Sequence, residues 1–89
     1  MNSYNQKLYA CYLDLRRAAV SFYKAPQGSA HEEFMTHALK ILNQLKEKKL
    51  EKFKKEIVSL RRATSKSNYS ERERMNIADK ILTTGILLR

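Results

Sequence analysis

Glycine and proline are scarce in this chain of 89 residues, which contains two glycines and one proline. Because these residues most often interrupt regular backbone structure, their scarcity predicts long, unbroken elements. No window alternates strictly between apolar and polar residues, so β-strands are not expected. Alanine, leucine, lysine, glutamate and arginine occur throughout and lose little conformational freedom in a helix. We therefore predict an all-α fold, a small antiparallel bundle of three or four helices, in a single domain covering residues 1–89.

Cysteine is also rare, and long apolar runs are missing. Cys11 is the single cysteine, so no internal disulfide can form, and its position on an apolar helix stripe predicts a buried thiol. No apolar run approaches the roughly 20 residues that span a bilayer. The polar segment 1–7 does not contain the apolar core of a signal peptide, and this predicts a cytoplasmic location.

The sequence also contains no recognisable motif for catalysis or cofactor binding. It has no glycine-rich phosphate loop, no nucleophile elbow and no carboxylate pair with an evident cleft. Besides Cys11, the soft metal ligands are His31 and His37, whose spacing fits neither an i, i+4 helical pair nor a zinc finger. We expect no enzyme activity, no cofactor, no metal site and no small-molecule substrate. His31 is expected on the surface, in the first turn of a helix.

Apolar residues recur at helical steps in the first half of the chain and predict two helices. The first helix should run from about Ser3 to Lys24, capped by Asn2 or Ser3, and Pro26 should end it. Ser29 begins an S-x-x-E capping box before the second helix. Between Lys46 and Lys49 the apolar stripe shifts, and we favour a break there over one continuous helix.

Two further amphipathic segments follow. One runs from about Lys48 to Thr64, and a second capping box at Ser70 to Glu73 begins the last helix. Gly85 is predicted to be the C-terminal stop of that helix, with an apolar tail beyond it. The residues expected on the inner side of the last helix are Met75, Ala78, Ile81 and Leu82.

A block of basic residues between Lys46 and Lys66 is the strongest signal in the sequence. It contains nine basic and three acidic residues, a net charge of +6 out of +9 for the chain. At about 100° per residue, most cations lie opposite an apolar stripe, so the segment should fold as a helix with one apolar and one cationic side. The apolar stripe consists of Leu50, Phe53, Ile57 and Leu60. The cationic side consists of Lys48, Lys52, Lys55, Arg62 and Lys66.

Three functions are compatible with this basic block, and a solvated outer helix face is the simplest alternative to all of them. The leading hypothesis is a non-catalytic intracellular regulatory protein that docks an acidic partner, with nucleic acid as the first choice. The second is a protein–protein interaction module that uses the apolar tail 86–88 or an exposed part of the tyrosine-rich first helix. The third is peripheral attachment to an anionic membrane surface by the amphipathic third segment.

Two family resemblances support the second hypothesis. The pattern Tyr12-x-x-Leu15-x-Arg17-Ala18-Ala19-x-x-Phe22 resembles the first helix of LYR-motif mitochondrial adaptor proteins, a family that engages an acidic acyl carrier partner. The family's arginine after the tyrosine is Leu13 here, and Cys11 replaces its leucine. Helix order and chain size also resemble the bacteriocin immunity proteins, which are cytosolic four-helix bundles. The residues that suit this layout are Leu42, Leu45, Leu50, Phe53 and Ile57, followed by Ser70-Glu71 and Ile81-Leu82.

Overall fold

The computed structural model describes residues 3–66 and 68–89. Within these ranges the chain forms four α-helices and one short 3-10 helix, without a β-strand. The elements are α1 (Ser3–Lys24), α2 (Ala30–Leu45), a 3-10 helix (Lys48–Leu50), α3 (Glu51–Ala63) and α4 (Glu71–Leu88). The prediction of an all-α bundle is confirmed, and α1 has the predicted bounds. The proposed cap at Asn2 lies outside the described residues.

The four helices pack as an antiparallel bundle, 42 Å long and about 20 Å across. Helix α1 packs against both α2 and α4, whereas α3 packs against α2 and α4. Short connections between consecutive helices force each one to run back along its predecessor. The side chains agree, because Phe22 near the end of α1 contacts His31 at the start of α2, and Cys11 in the middle of α1 donates to the carbonyl of Ala38 in the middle of α2 at 3.6 Å.

All four helices contribute to one apolar core. The fully buried side chains with the largest volumes include Leu15 and Phe22 from α1, Met35 and Leu42 from α2, Ile57 from α3 and Ile81 from α4. At one end of the bundle, Phe22 makes edge-to-face contacts with His31, at 5.2 Å between ring centroids, and with Tyr69, at 5.0 Å. The hydroxyl of Tyr69 donates to the carbonyl of Ala63 at 2.8 Å, so its polar group is satisfied.

The expected break after the second helix is confirmed. Helix α2 ends at Leu45, and Lys46 adopts a left-handed backbone conformation with φ 51° and ψ 35°. Left-handed residues commonly end helices, but glycine usually occupies the position because other residues meet steric strain there. A lysine at this position explains why the sequence carries no punctuation at the break.

The two predicted capping boxes have different outcomes. At α4 the box is complete, because Ser70 Oγ accepts from the Glu73 backbone N–H at 3.1 Å and Glu73 accepts from the Ser70 N–H at 3.0 Å. At α2 the prediction is wrong. Ser29 has φ −112° and ψ −4°, and its side chain makes no capping bond. Only its carbonyl takes part, accepting from the N–H groups of Glu32 and Glu33.

The end of α4 also differs from the expectation, and Gly85 is not a stop. The helix continues to Leu88, which is buried, while Ile86 and Leu87 are exposed. Gly85 is buried instead against α1, where an added Cβ would lie 3.1 Å from Leu15 Cβ. Met75 was expected on the inner side of α4, and this is wrong because 54% of its surface is exposed.

The predictions about the burial of Cys11 and the exposure of His31 have different outcomes. Cys11 is fully buried as predicted, and burial, with a smaller contribution from Asp14, raises the pKa of its thiol to about 12. His31 was expected on the surface, and this is wrong because only 1% of it is exposed. The reason is that His31 turns inward at the start of α2 and packs against Phe22, which fills that end of the core.

Candidate functional site

The basic segment has the two-sided character that its sequence indicates. On the inner side Leu50, Ile57 and Leu60 are buried, and Phe53 is half-buried against the core. Opposite them, steps of three and seven residues bring Lys52, Lys55 and Arg62 onto one exposed outer face of α3. Lys48, in the 3-10 helix that precedes α3, is also exposed. We call the exposed set Lys48, Lys52, Lys55 and Arg62 the basic face.

The members of the basic face have no close carboxylate partner. Within residues 3–66 and 68–89, none of them takes part in an ion pair. The neighbouring Lys54 is different, since its ammonium binds Glu51 at 2.8 Å, one turn earlier on α3. The basic face is therefore a row of exposed cations that form no ion pair in the described chain. Lys55 still acts on a carboxylate, because the lowered pKa of Glu51 is due mainly to the hydrogen bond and charge of Lys54 and in smaller part to the charge of Lys55.

Lys66 was predicted to join this surface, but the structure pairs it with α4. Its ammonium donates to Glu73 at 2.8 Å and also lies 5.6 Å from the ring centroid of Tyr69. The hydrogen bond and charge of Glu73 raise the pKa of Lys66, and the Lys66 hydrogen bond is the main reason that the pKa of Glu73 falls to about 2. Its positive charge is thus compensated, and we place Lys66 outside the basic face.

The other cations of the block lie on its flanks. Arg61 turns toward α2, where its Nη1 donates to Thr36 Oγ1 at 3.2 Å. Lys49 lies 5.3 Å from the ring centroid of Tyr4 at the start of α1. Because Arg61 contacts α2 and Lys49 contacts α1, neither residue belongs to the basic face. The basic face therefore contains fewer cations than the block between Lys46 and Lys66.

One edge of the basic face borders a surface pocket of about 410 Å³ between α3 and α4. Lys52 and Lys80 line it together with Glu56 and Asp79, and Lys52 lies 5.1 Å from the ring centroid of Phe53. Because both signs of charge meet in this pocket, the most cationic part of α3 is its outer row and not this cleft.

Sequence reasoning missed a second surface, the groove between α1 and α4. Its volume is about 600 Å³, and Val20, Tyr23 and Met75 on its walls are exposed by 48%, 39% and 54%. The small side chains of Ala19 and Ala78 lie between these walls. Val20 and Tyr23, large apolar residues of α1 that lie outside its core stripe, were the signal that could have found it.

Asp14 is the most buried carboxylate of the described chain, with 4% exposed. One carboxylate oxygen accepts a hydrogen bond from His37 Nδ1 at 2.5 Å, and the other forms an ion pair with the Arg17 guanidinium at 3.6 Å. The His37 contact joins α1 to α2, so these residues form a structural link between helices. Within the described ranges, no three histidine, cysteine or acidic side chains come together in a way that could hold a metal ion.

No described helix combines the length and apolar character needed to cross a membrane. No protein-family model, curated protein or solved structure matches the chain.

Proposed function

We propose that this protein is a non-catalytic regulatory binding protein that docks an acidic partner, with nucleic acid as the first choice, on the basic face of α3. The observation that supports this most directly is the row of Lys48, Lys52, Lys55 and Arg62, exposed and unpaired while Lys54 and Lys66 are paired. Unpaired cations on a rigid helix suit phosphate contact, because binding releases the counterions condensed on the nucleic acid.

The spacing of this row also suits a charged backbone. Within α3, from Lys52 to Arg62, the row covers about 15 Å at a helical rise of about 1.5 Å per residue. Phosphate contacts of this kind position a protein without reading the bases, so binding is expected to be independent of sequence. Three exposed carboxylates, Glu47, Glu51 and Glu56, lie next to the row in sequence and should weaken its attraction for phosphates at the edges.

Binding to duplex and single-stranded oligonucleotides, measured by fluorescence anisotropy across a salt series, tests this proposal. Four phosphate contacts should give a slope of roughly −3 to −4 when the logarithm of the binding constant is plotted against that of salt. The double variant K52E/K55E should reduce the steepness of the slope by about 2.

A matched control places the same charge change elsewhere. The double variant K40E/R72E alters exposed cations of α2 and α4 and should retain most of the affinity. Equal losses in both double variants would show that net charge alone drives binding. Absence of binding at low salt would refute the proposal. Co-sedimentation with anionic liposomes but no oligonucleotide binding would assign the basic face to a membrane surface instead.

A protein–protein interaction module is the second candidate function, and the exposed apolar side chains favour it. Ile86 is 45% and Leu87 67% exposed at the end of α4, and Tyr9 is 51% exposed on α1. Exposed apolar residues that share a surface are typical of interaction sites. Because Leu88 is buried and Gly85 packs on α1, removing the tail 85–89 would disturb the fold, so substitutions of exposed residues test this candidate better.

A further inference from the structure

We propose that the groove between α1 and α4 binds an amphipathic helix of a partner protein whose polar side is acidic. This inference rests on the second candidate function and names its site and the chemistry of its partner. It is separate from the basic face, because the groove is lined by residues of α1 and α4 and by none of α3.

The exposed apolar side chains have a restricted distribution. Within the described ranges, the large apolar residues that remain exposed all belong to α1 or α4, and α2 and α3 have none. They are Tyr9, Val20, Tyr23, Met75, Ile86 and Leu87. Three of them, Val20, Tyr23 and Met75, line the groove, and exposed apolar side chains that share one surface are typical of a docking site.

The residues that line the groove recur at helical steps. On α1 they include Val20 and Tyr23, and on α4 Met75, Ala78 and Leu82 follow each other in steps of three and four. This spacing is the repeat by which helices pack side by side in coiled coils. From Met75 to Leu82 the lining covers about 10 Å, or roughly two turns of a bound helix.

Small side chains form the floor of the groove and leave room between its walls for side chains from another helix. Ala19 and Ala78 contribute only methyl groups between the larger walls, and Leu82 extends the apolar lining. Ridges of side chains on one helix pack into the grooves between side chains of another, and small residues let the backbones approach. Apolar side chains of a partner helix would therefore fill the volume between Val20, Tyr23 and Met75.

The charge around the groove indicates the partner's polar side. Lys24 lines the groove, and the Arg74 guanidinium lies 5.4 Å from the ring centroid of Tyr23, which also lines it. Asp79 is the single acidic residue of the lining. Acidic residues flanking the partner's apolar stripe would complement these cations. A second copy of this chain, with its formal charge of +9, would instead bring like charges together.

A synthetic peptide of about 18 residues, long enough to be helical when stapled, is the probe. It carries leucine at positions i, i+3, i+4 and i+7 and glutamate on its other side. Binding to the full-length chain is measured by anisotropy at moderate salt. A scrambled peptide of identical composition is the comparison, and it should bind at least about tenfold more weakly, since most binding energy comes from a few buried apolar anchors.

Two variants of α4 form the matched pair. M75E puts a charge on the groove wall and should weaken peptide binding by about tenfold or more, a typical loss for a central contact. T83E introduces the same charge at an exposed residue of α4 outside the groove and should bind the peptide within about twofold of wild type. V20E on the α1 wall should act like M75E, and circular dichroism confirms that each variant is folded.

The results separate this inference from the basic-face proposal. K52E/K55E should reduce oligonucleotide binding and leave peptide binding nearly intact. If M75E and V20E bind the peptide like wild type while K52E/K55E does not, the acidic peptide recognises the basic face and the groove proposal is wrong. Equal binding of the scrambled peptide also overturns it. Sedimentation should show a monomer, and a dimer that M75E dissociates would assign the groove to a second copy.

Discussion

Gly85 of α4 and Leu15 of α1 lie so close that a methyl group on Gly85 would be 3.1 Å from Leu15 Cβ. The side chain of Tyr12 is also near, with its Cδ1 3.4 Å from the same position. Because Leu15 Cβ is attached directly to the backbone, it cannot move aside unless α1 moves. The absence of a side chain at Gly85 therefore sets the spacing between α1 and α4.

A bulkier residue at this contact should destabilise the bundle. We expect G85V to lower the free energy of unfolding by about 1–3 kcal/mol, the usual cost of overpacking a core. For G85A, a gain in helix propensity of about 1 kcal/mol offsets part of a smaller clash. Urea denaturation followed by circular dichroism gives both values. T83V, at an exposed position of α4, should stay near wild type, and a tolerated G85V would contradict the close packing.

The buried thiol predicts low chemical reactivity. Burial raises the pKa of Cys11 to about 12, and the thiolate is the reactive form, so a folded chain at neutral pH offers very little of it. Labelling by a thiol reagent should be slow in buffer and fast in denaturant. Labelling rates measured across a urea series should follow the unfolded population. Fast labelling of the native protein would show that Cys11 is accessible.

The ion pair between Lys66 and Glu73, at the start of α4, predicts that the stability of the fold depends on pH. The pKa of Glu73 falls to about 2 from a model-compound value of 4.5, chiefly through Lys66 and then through the Ser70 backbone. A lowered folded-state pKa contributes stability above the unfolded-state pKa and loses it as the pH falls. Stability from Glu73 should therefore be complete above about pH 5 and decline toward pH 2.

Substitution of this glutamate isolates its contribution. E73Q should lower the melting temperature at neutral pH and lose part of the decline that the wild type shows between about pH 5 and pH 2. E71Q, in the same first turn, is the control because Glu71 forms no ion pair in the described ranges. An E73Q chain with the wild-type acid profile would show that the Lys66 contact is weak in solution.

The two histidines predict opposite effects of the same substitution. His31 is buried, and neither of its ring nitrogens has a hydrogen-bond partner among the described residues. H31L removes these polar atoms and should raise the free energy of unfolding by about 1 kcal/mol, since an unsatisfied buried group is costly. H37L deprives the buried carboxylate of Asp14 of a partner and should lower it by about 1–3 kcal/mol. Thermal denaturation of both variants checks the sign.

Features that depend on neighbouring residues could be predicted from the sequence. Pro26 and the apolar periodicity set the bounds of α1, and the box at Ser70 has its predicted bonds, because each involves backbone geometry within about one helical turn. The break at Lys46 was visible only as a shift of the apolar stripe, since no glycine marks it. Ser29 shows the limit of a short motif, because its backbone angles do not let the side chain cap α2.

Of the two candidate surfaces, most of the basic face could be predicted from the sequence, whereas the groove between α1 and α4 could not. The alignment of Lys52, Lys55 and Arg62 follows from the period of α3, which Lys48 precedes in the 3-10 helix. The compensation of Lys66 does not, because Glu73 belongs to the next helix. The groove was harder to predict, because Met75 is an apolar residue of the kind expected in a core. It is exposed because no helix of the described chain covers it.

The amino-acid order alone determined that this chain is helical and that α3 has one apolar and one cationic side, because propensity and periodicity act along a single helix. Only tertiary packing decided which apolar stripe each helix buries and which charges find partners. Helices α1 and α4 carry more apolar surface than their neighbours can cover, and Gly85 brings them close together. The remaining surface stays exposed because burial depends on contacts between helices, which no local pattern encodes.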